Sequence, residues 1–194
     1  MAQAARVLPT TYDDYLAALE ASPVKMEFHG GEIFAMTGGT VMHSHLIGNV
    51  FAALRGALRG TPCRAFISEQ RIAVGKESCY PDASVVCGPP VLAPHDRNAV
   101  TNPSVIVEVL SASTEMYDRG DKFDLYRRIA SLRDYLLVNQ ERNQVEHFAR
   151  NDDGSWTFRS LGDGEQIRLT GVAVTLDVSE LYVDAAEMRA LAAQ

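Results

Sequence analysis

The chain has 194 residues, 46% of them hydrophobic and 22% charged, with a formal net charge of −7, an ordinary balance for one folded domain with a sizeable core. No apolar run approaches the roughly 20 residues needed to cross a bilayer, and the opening stretch MAQAARVLPTTYDDY lacks the apolar centre of a secretion signal, so a cytoplasmic protein is expected. The acidic total argues against a basic footprint over the whole surface; a local one would have to come from arginines such as Arg55, Arg59, Arg64, Arg127, Arg128 and Arg133.

Along the chain, 11–22 carries Tyr12, Tyr15, Leu16 and Leu19 at helical spacing, and Ser22-Pro23 ends it. The runs KMEFH and EIFAM, joined by Gly30-Gly31, predict a β-hairpin. After a loop at 37–40, an amphipathic helix is expected over 43–58, with Leu46, Ile47, Val50, Phe51, Leu54 and Leu58 on one face. Two strand-like runs follow, 63–74 and 79–87, then a proline-rich loop and the compact apolar strand 104–110. Ser111, Ser113 and Thr114 supply helix-start chemistry for a helix reaching about 130. A strand at 133–139, a meander through 144–149, 155–160 and 166–176, and a helix over 178–192 complete the chain. The expectation is an α/β fold over 1–194, a mixed β-sheet flanked by helices, with an N-terminal hairpin and a C-terminal meander.

The three cysteines, Cys63, Cys79 and Cys87, are separated by 16 and 8 residues, which matches no zinc pattern and reads as buried thiols. Thr37-Gly38-Gly39-Thr40 lacks the Lys-Ser/Thr of a P-loop. His43 and His45 are two apart, so one helix would not turn both to one metal.

Three residues of the middle block stand out. Asp82 follows Tyr80-Pro81 at the head of a strand, where proline has no ladder donor to lose. Glu108 lies inside VIVEVL, whose branched apolar residues predict burial on both faces; a carboxylate there needs a cation or donors. Lys122 shares a helical face with Arg119, Phe123, Tyr126 and Ile129, in a chain with 15 arginines and three lysines. Paired carboxylates suit Mg2+ or Mn2+, and a nearby ammonium can steady charge developing on a phosphodiester.

The runs YPDASVVCG (80–88) and NPSVIVEVLSASTEMYDRGDKFDLYRRIASLRDYLLV (102–138) resemble the Uma-two family of the PD-(D/E)xK nuclease superfamily, and the likeness extends from Met26-Glu27 through Gly31-Glu32, His43 and Asn49 to 176–182. The resemblance implies a restriction-endonuclease-like core and a metal-dependent endonuclease acting on DNA. Its implied centre is Asp82, Glu108 and Lys122, with Asp82 and Glu108 as metal ligands. The superfamily's usual lysine, two residues after the acid, would fall at Leu110, and Lys122 on the following helix takes its place. Ala112 stands where similar sequences often carry proline. Glu69, on the strand before Asp82, is a further expected ligand; Glu27 and Glu32 are weaker ones, and His43 a phosphate contact, a base or simply a cap.

A silent domain of the same fold, binding nucleic acid or protein, is the alternative the charge favours. A homodimer built through the C-terminal segment and the hairpin is a further expectation.

Overall fold

The computed structural model describes residues 11–36 and 38–192; Thr37 of the expected loop and residues 1–10 of the opening stretch lie outside them. Helix α1 (Tyr12–Ala21) begins at Thr11, whose side chain accepts from the Asp14 N–H while the Asp14 carboxylate accepts from the Thr11 N–H. Strands β1 (Met26–His29) and β2 (Glu32–Ala35) form the expected hairpin. Gly30 and Gly31 both take positive φ, 59° and 80°, which a side chain would resist. Helix α2 (Val41–Ala57), capped by Thr40, buries Met42, Leu46, Val50 and Leu54.

Next come β3 (Cys63–Ile67), β4 (Arg71–Val74), β5 (Glu77–Cys79), β6 (Ala83–Cys87), β7 (Leu92–Ala93), β8 (Asp96–Val100) and β9 (Val105–Val109). Helices α3 (Glu115–Arg119) and α4 (Asp121–Tyr126) lead into β10 (Asp134–Val138), β11 (Gln144–Arg150) and β12 (Trp156–Gly162). The chain closes with β13 (Gln166–Leu169), β14 (Val174–Asp177), α5 (Val178–Leu181) and α6 (Ala185–Ala192).

Among the described residues, the strands form two six-stranded sheets, β2-β1-β5-β4-β8-β7 and β12-β11-β10-β9-β6-β3, and the separate hairpin β13-β14. In the second sheet β9 and β10 are parallel and every residue of both is buried. Alternation along β9 decides where chemistry can sit. Val105, Val107 and Val109 join the core beneath α2, whereas Ile106 joins the core beneath α4. Glu108 shares the parity of Ile106 and so is turned to the α4 side.

The structure departs from expectation where one local feature breaks a long run. The run 63–74 is two strands that belong to different sheets, because the chain turns at 68–70. The proline-rich loop contains β7 and β8, and the single helix expected to reach 130 is α3 and α4, divided at Gly120. The run 166–176 is a hairpin of its own rather than a further meander strand. Cys63 and Cys87, read from the sequence as thiols, are cross-strand partners in the β3–β6 register and form a disulfide, with Cα atoms 3.9 Å apart. A separation of 24 residues hides that pairing until the register is known. Cys79 is a buried free thiol, as expected.

Candidate active site

Glu108 brings a carboxylate into the α4-side core, where it is 3% exposed. Helix α4 answers with Lys122, one turn above Tyr126 on the same face. The Lys122 ammonium stands 3.0 Å from Glu108 Oε1, and the Tyr126 hydroxyl donates to the same oxygen at 3.0 Å. Two further acids share that ammonium. Glu27 Oε1, on β1, lies 3.4 Å from it, and Asp118 Oδ1, one helical turn earlier, lies 3.7 Å from it. The Tyr80 N–H donates to Glu27 Oε1 at 2.8 Å, which ties the hairpin to the segment carrying Asp82.

Asp82 is fixed from the other side of the strand end. Its Oδ2 accepts from the Val109 N–H at 2.7 Å, directly after Glu108. His43, in the first turn of α2, places Nε2 3.4 Å from the same oxygen and 3.0 Å from the Val109 carbonyl.

The electrostatics follow from crowding. Burial pushes the Glu108 carboxyl well above the usual carboxylate range; Lys122 opposes this, but Asp118, Asp82 and Glu27 add to it. Asp118 is raised for the same first reason, burial, against the pull of Lys122. For Lys122 burial favours loss of the proton, yet Glu108, Glu27 and Asp118 outweigh it and the ammonium is held charged. The centre therefore carries more potential negative charge than one lysine balances. Burial raises the Cys79 thiol as well, so it stays protonated beside the centre rather than serving as a nucleophile.

The structure thus brings Asp82, Glu108 and Lys122 together and adds Glu27. It does not bring Glu69. That residue lies in the turn between β3 and β4 rather than on a strand, its side chain 70% exposed and ion-paired with Lys25. Asp118 went unread, although its i, i+4 spacing from Lys122 was visible in the sequence; Tyr126 was read only as packing. Of the six arginines proposed as a basic surface, Arg127, Arg128 and Arg133 stand in ion pairs with Asp124, Glu77 and Asp152.

Among the described residues no three His, Cys, Asp or Glu side chains form a ready-made metal cage. The donor chemistry nonetheless fits a hard divalent cation: all the acids offer carboxylate oxygens, and both the Val109 N–H hydrogen bond and the 3.4 Å approach of His43 Nε2 fall on Oδ2 of Asp82 rather than Oδ1.

Comparison with known proteins shows the family and the fold. The model of the family Uma2, described as "Putative restriction endonuclease", matches residues 12–179. Two proteins of Synechocystis sp., uncharacterized protein slr1290 and uncharacterized protein sll1609, are each 34% identical to this chain. The first match covers 88% of this chain and 90% of the relative, the second 82% and 92%. The crystal structure of a "putative nuclease belonging to DUF820" from Anabaena variabilis has the same fold, with a TM-score of 0.74 and 16% identity, over 91% of this chain and 99% of that one. Among the described residues no helix is long and apolar enough to cross a membrane.

Proposed function

The chain belongs to the Uma2 family of restriction-endonuclease-like proteins, and from that premise we propose that it is a divalent-cation-dependent endonuclease hydrolysing DNA phosphodiester bonds, with Asp82, Glu108 and Lys122 as its catalytic residues. The observation that supports this reading is the single buried ammonium shared by Glu108, Glu27 and Asp118, with Asp82 fixed at the adjoining strand end.

Asp82 and Glu108 would hold Mg2+ or Mn2+, with Glu27 in place of Glu69 as the third acid. The cation, when bound, supplies Lewis-acid polarisation of the phosphate and activation of a water. Hydrolysis adds that water across a P–O bond: its oxygen joins phosphorus, and a proton ends on the departing sugar oxygen. Lys122, held charged by its three acids, acts as a donor to the negative charge growing on the phosphoryl oxygens and not as the base. Tyr126 and the Val109 N–H keep Glu108 and Asp82 in fixed orientations, so that no reorganisation accompanies the charge build-up.

The test is cleavage of plasmid and single-stranded DNA in Mg2+ or Mn2+ by the wild type beside Asp82→Ala, Glu108→Gln and Lys122→Met, with the melting temperature of each recorded. Metal-dependent cleavage that disappears in all three folded variants supports the assignment. A folded, metal-binding wild type that cuts neither substrate points instead to a silent domain of the same fold.

A further inference from the structure

Two latches hold the start of α2 on the end of β9. The Thr40 hydroxyl donates to Gln140 Oε1 at 3.0 Å, and Gln140 Nε2 donates to the Leu110 carbonyl at 2.6 Å. His43 makes the second, from its ring to the Val109 carbonyl, and only this one also reaches Asp82. The neighbours of Nε2 are a carbonyl and a carboxylate, both acceptors, so the proton of a neutral ring belongs on Nε2. The ring is also confined from behind. A Cβ on Gly39 would lie 2.6 Å from His43 Nδ1 and 3.0 Å from Cγ, so the imidazole occupies space that only a glycine at 39 leaves open.

We infer that His43 is a positioning residue for Asp82: its Nε2–H, donated to the Val109 carbonyl and backed by Gly39, holds the ring edge 3.4 Å from Oδ2 of Asp82 and so supports the Val109 N–H in keeping that oxygen on the protein, which would leave Oδ1 available to a cation. The inference rests on the catalytic reading of Asp82 and names a role for a side chain that itself contacts neither cation nor phosphate. Because Thr40 and Gln140 latch the helix independently, loss of the ring should disturb Asp82 more than the fold.

Side-chain length makes the test selective. A glutamine Nε2 stands as many bonds from the backbone as the histidine Nε2, whereas an asparagine amide stops one atom short. His43→Gln should therefore keep wild-type Mn2+ affinity in calorimetry and wild-type cleavage. His43→Asn and His43→Ala should weaken Mn2+ binding by about 10–100-fold, the usual cost of losing such a partner, with melting temperatures close to that of the glutamine variant. Gly39→Ala should weaken Mn2+ binding although the imidazole is retained. Long-range 1H–15N correlation of the wild-type ring should report the Nε2–H tautomer. An Nδ1–H tautomer, a glutamine variant as weak as alanine, or unchanged Mn2+ affinity in His43→Ala each overturns the inference. A wild type that binds Mn2+ but cleaves no DNA removes the nuclease reading, while the affinity series and the tautomer still decide the role of His43.

Discussion

Two buried carboxylates, Glu108 and Asp134, lie on the adjacent parallel strands β9 and β10, toward opposite ends, and they are treated in opposite ways. Asp134 opens β10 and accepts from four donors: the Gly171 N–H at 2.7 Å, the Thr170 N–H at 3.1 Å, the Thr170 hydroxyl at 3.2 Å and His147 Nε2 at 2.8 Å. These donors come from β11 and from the turn between β13 and β14, so one side chain joins the main sheet to the C-terminal hairpin. Glu108 has Lys122 and Tyr126, but it must share the lysine with Glu27 and Asp118 and tolerate Asp82 beside it. A buried acid kept for structure is saturated with donors of its own. Glu108 is left short of positive charge, and under the proposed function that deficit is what a divalent cation would fill.

The largest effect expected from this contrast is on stability at the structural end. Asp134→Ala strands two backbone N–H groups, a hydroxyl and an imidazole, and should lower the free energy of unfolding by roughly 3–5 kcal/mol. Urea denaturation checks the figure. Cleavage per folded molecule should be unchanged, because Asp134 contacts none of the residues proposed as catalytic; a variant within about 1 kcal/mol of wild type would break the contrast.

Lys122→Met acts at the other end, removing the only cation that Glu108, Glu27 and Asp118 share in the described structure. Cleavage should fall by about 10²–10³-fold, the scale of losing one preorganised donor to transition-state charge. The same variant should be less stable, since three buried acids lose their partner. Added Mn2+ should then raise its melting temperature more than that of the wild type, because the cation takes over part of the lost neutralisation. Equal shifts would place the cation elsewhere.

A smaller effect, of unusual sign, is expected for Glu108→Gln. The Glu108 carboxyl is raised on folding, by burial first, so between its ordinary value and its folded value the native state binds more protons than the unfolded chain. Stability from this group is fully present below the ordinary glutamate range and is lost as pH rises through the folded value. At neutral pH the neutral amide should cost no stability and add up to about 1 kcal/mol, and it should flatten this part of the pH dependence. Melting curves from about pH 4 to pH 8 would reveal it. A clear loss of stability at neutral pH would mean that the Lys122 pair outweighs the crowding.

Much of this was legible in the sequence, and what was not has a physical reason. Glu108 inside a run of branched apolar residues could only be buried, and Lys122 in the packing stripe of α4 could only meet it or snorkel. The hairpin was written in Gly30-Gly31. Asp134 was invisible, because its worth depends on donors from β11 and from Thr170-Gly171, 36 and 37 residues away. The disulfide depended on strand register in the same way. Glu69 misled because the polar interruption Ser68-Glu69-Gln70, where the chain turns out of the sheet, was read as part of one continuous strand.

The smallest effect is therefore expected at Glu69, and it sharpens the contrast most cheaply when set against Glu27. Both glutamates meet a lysine, but Glu69 meets Lys25 in solvent while Glu27 meets Lys122 at 3.4 Å with both side chains under a tenth exposed. An exposed pair contributes about 0–1 kcal/mol and is screened by salt, so Glu69→Ala should leave Mn2+ affinity, cleavage and melting near wild type. Glu27→Ala removes a buried acid and the acceptor of the Tyr80 N–H, which loosens the segment leading to Asp82. It should lower Mn2+ affinity on the order of 10-fold or more. If the two variants changed places, the acid near the cation would be the one in the exposed turn, and the deficit of charge around Lys122 would be a matter of structure alone.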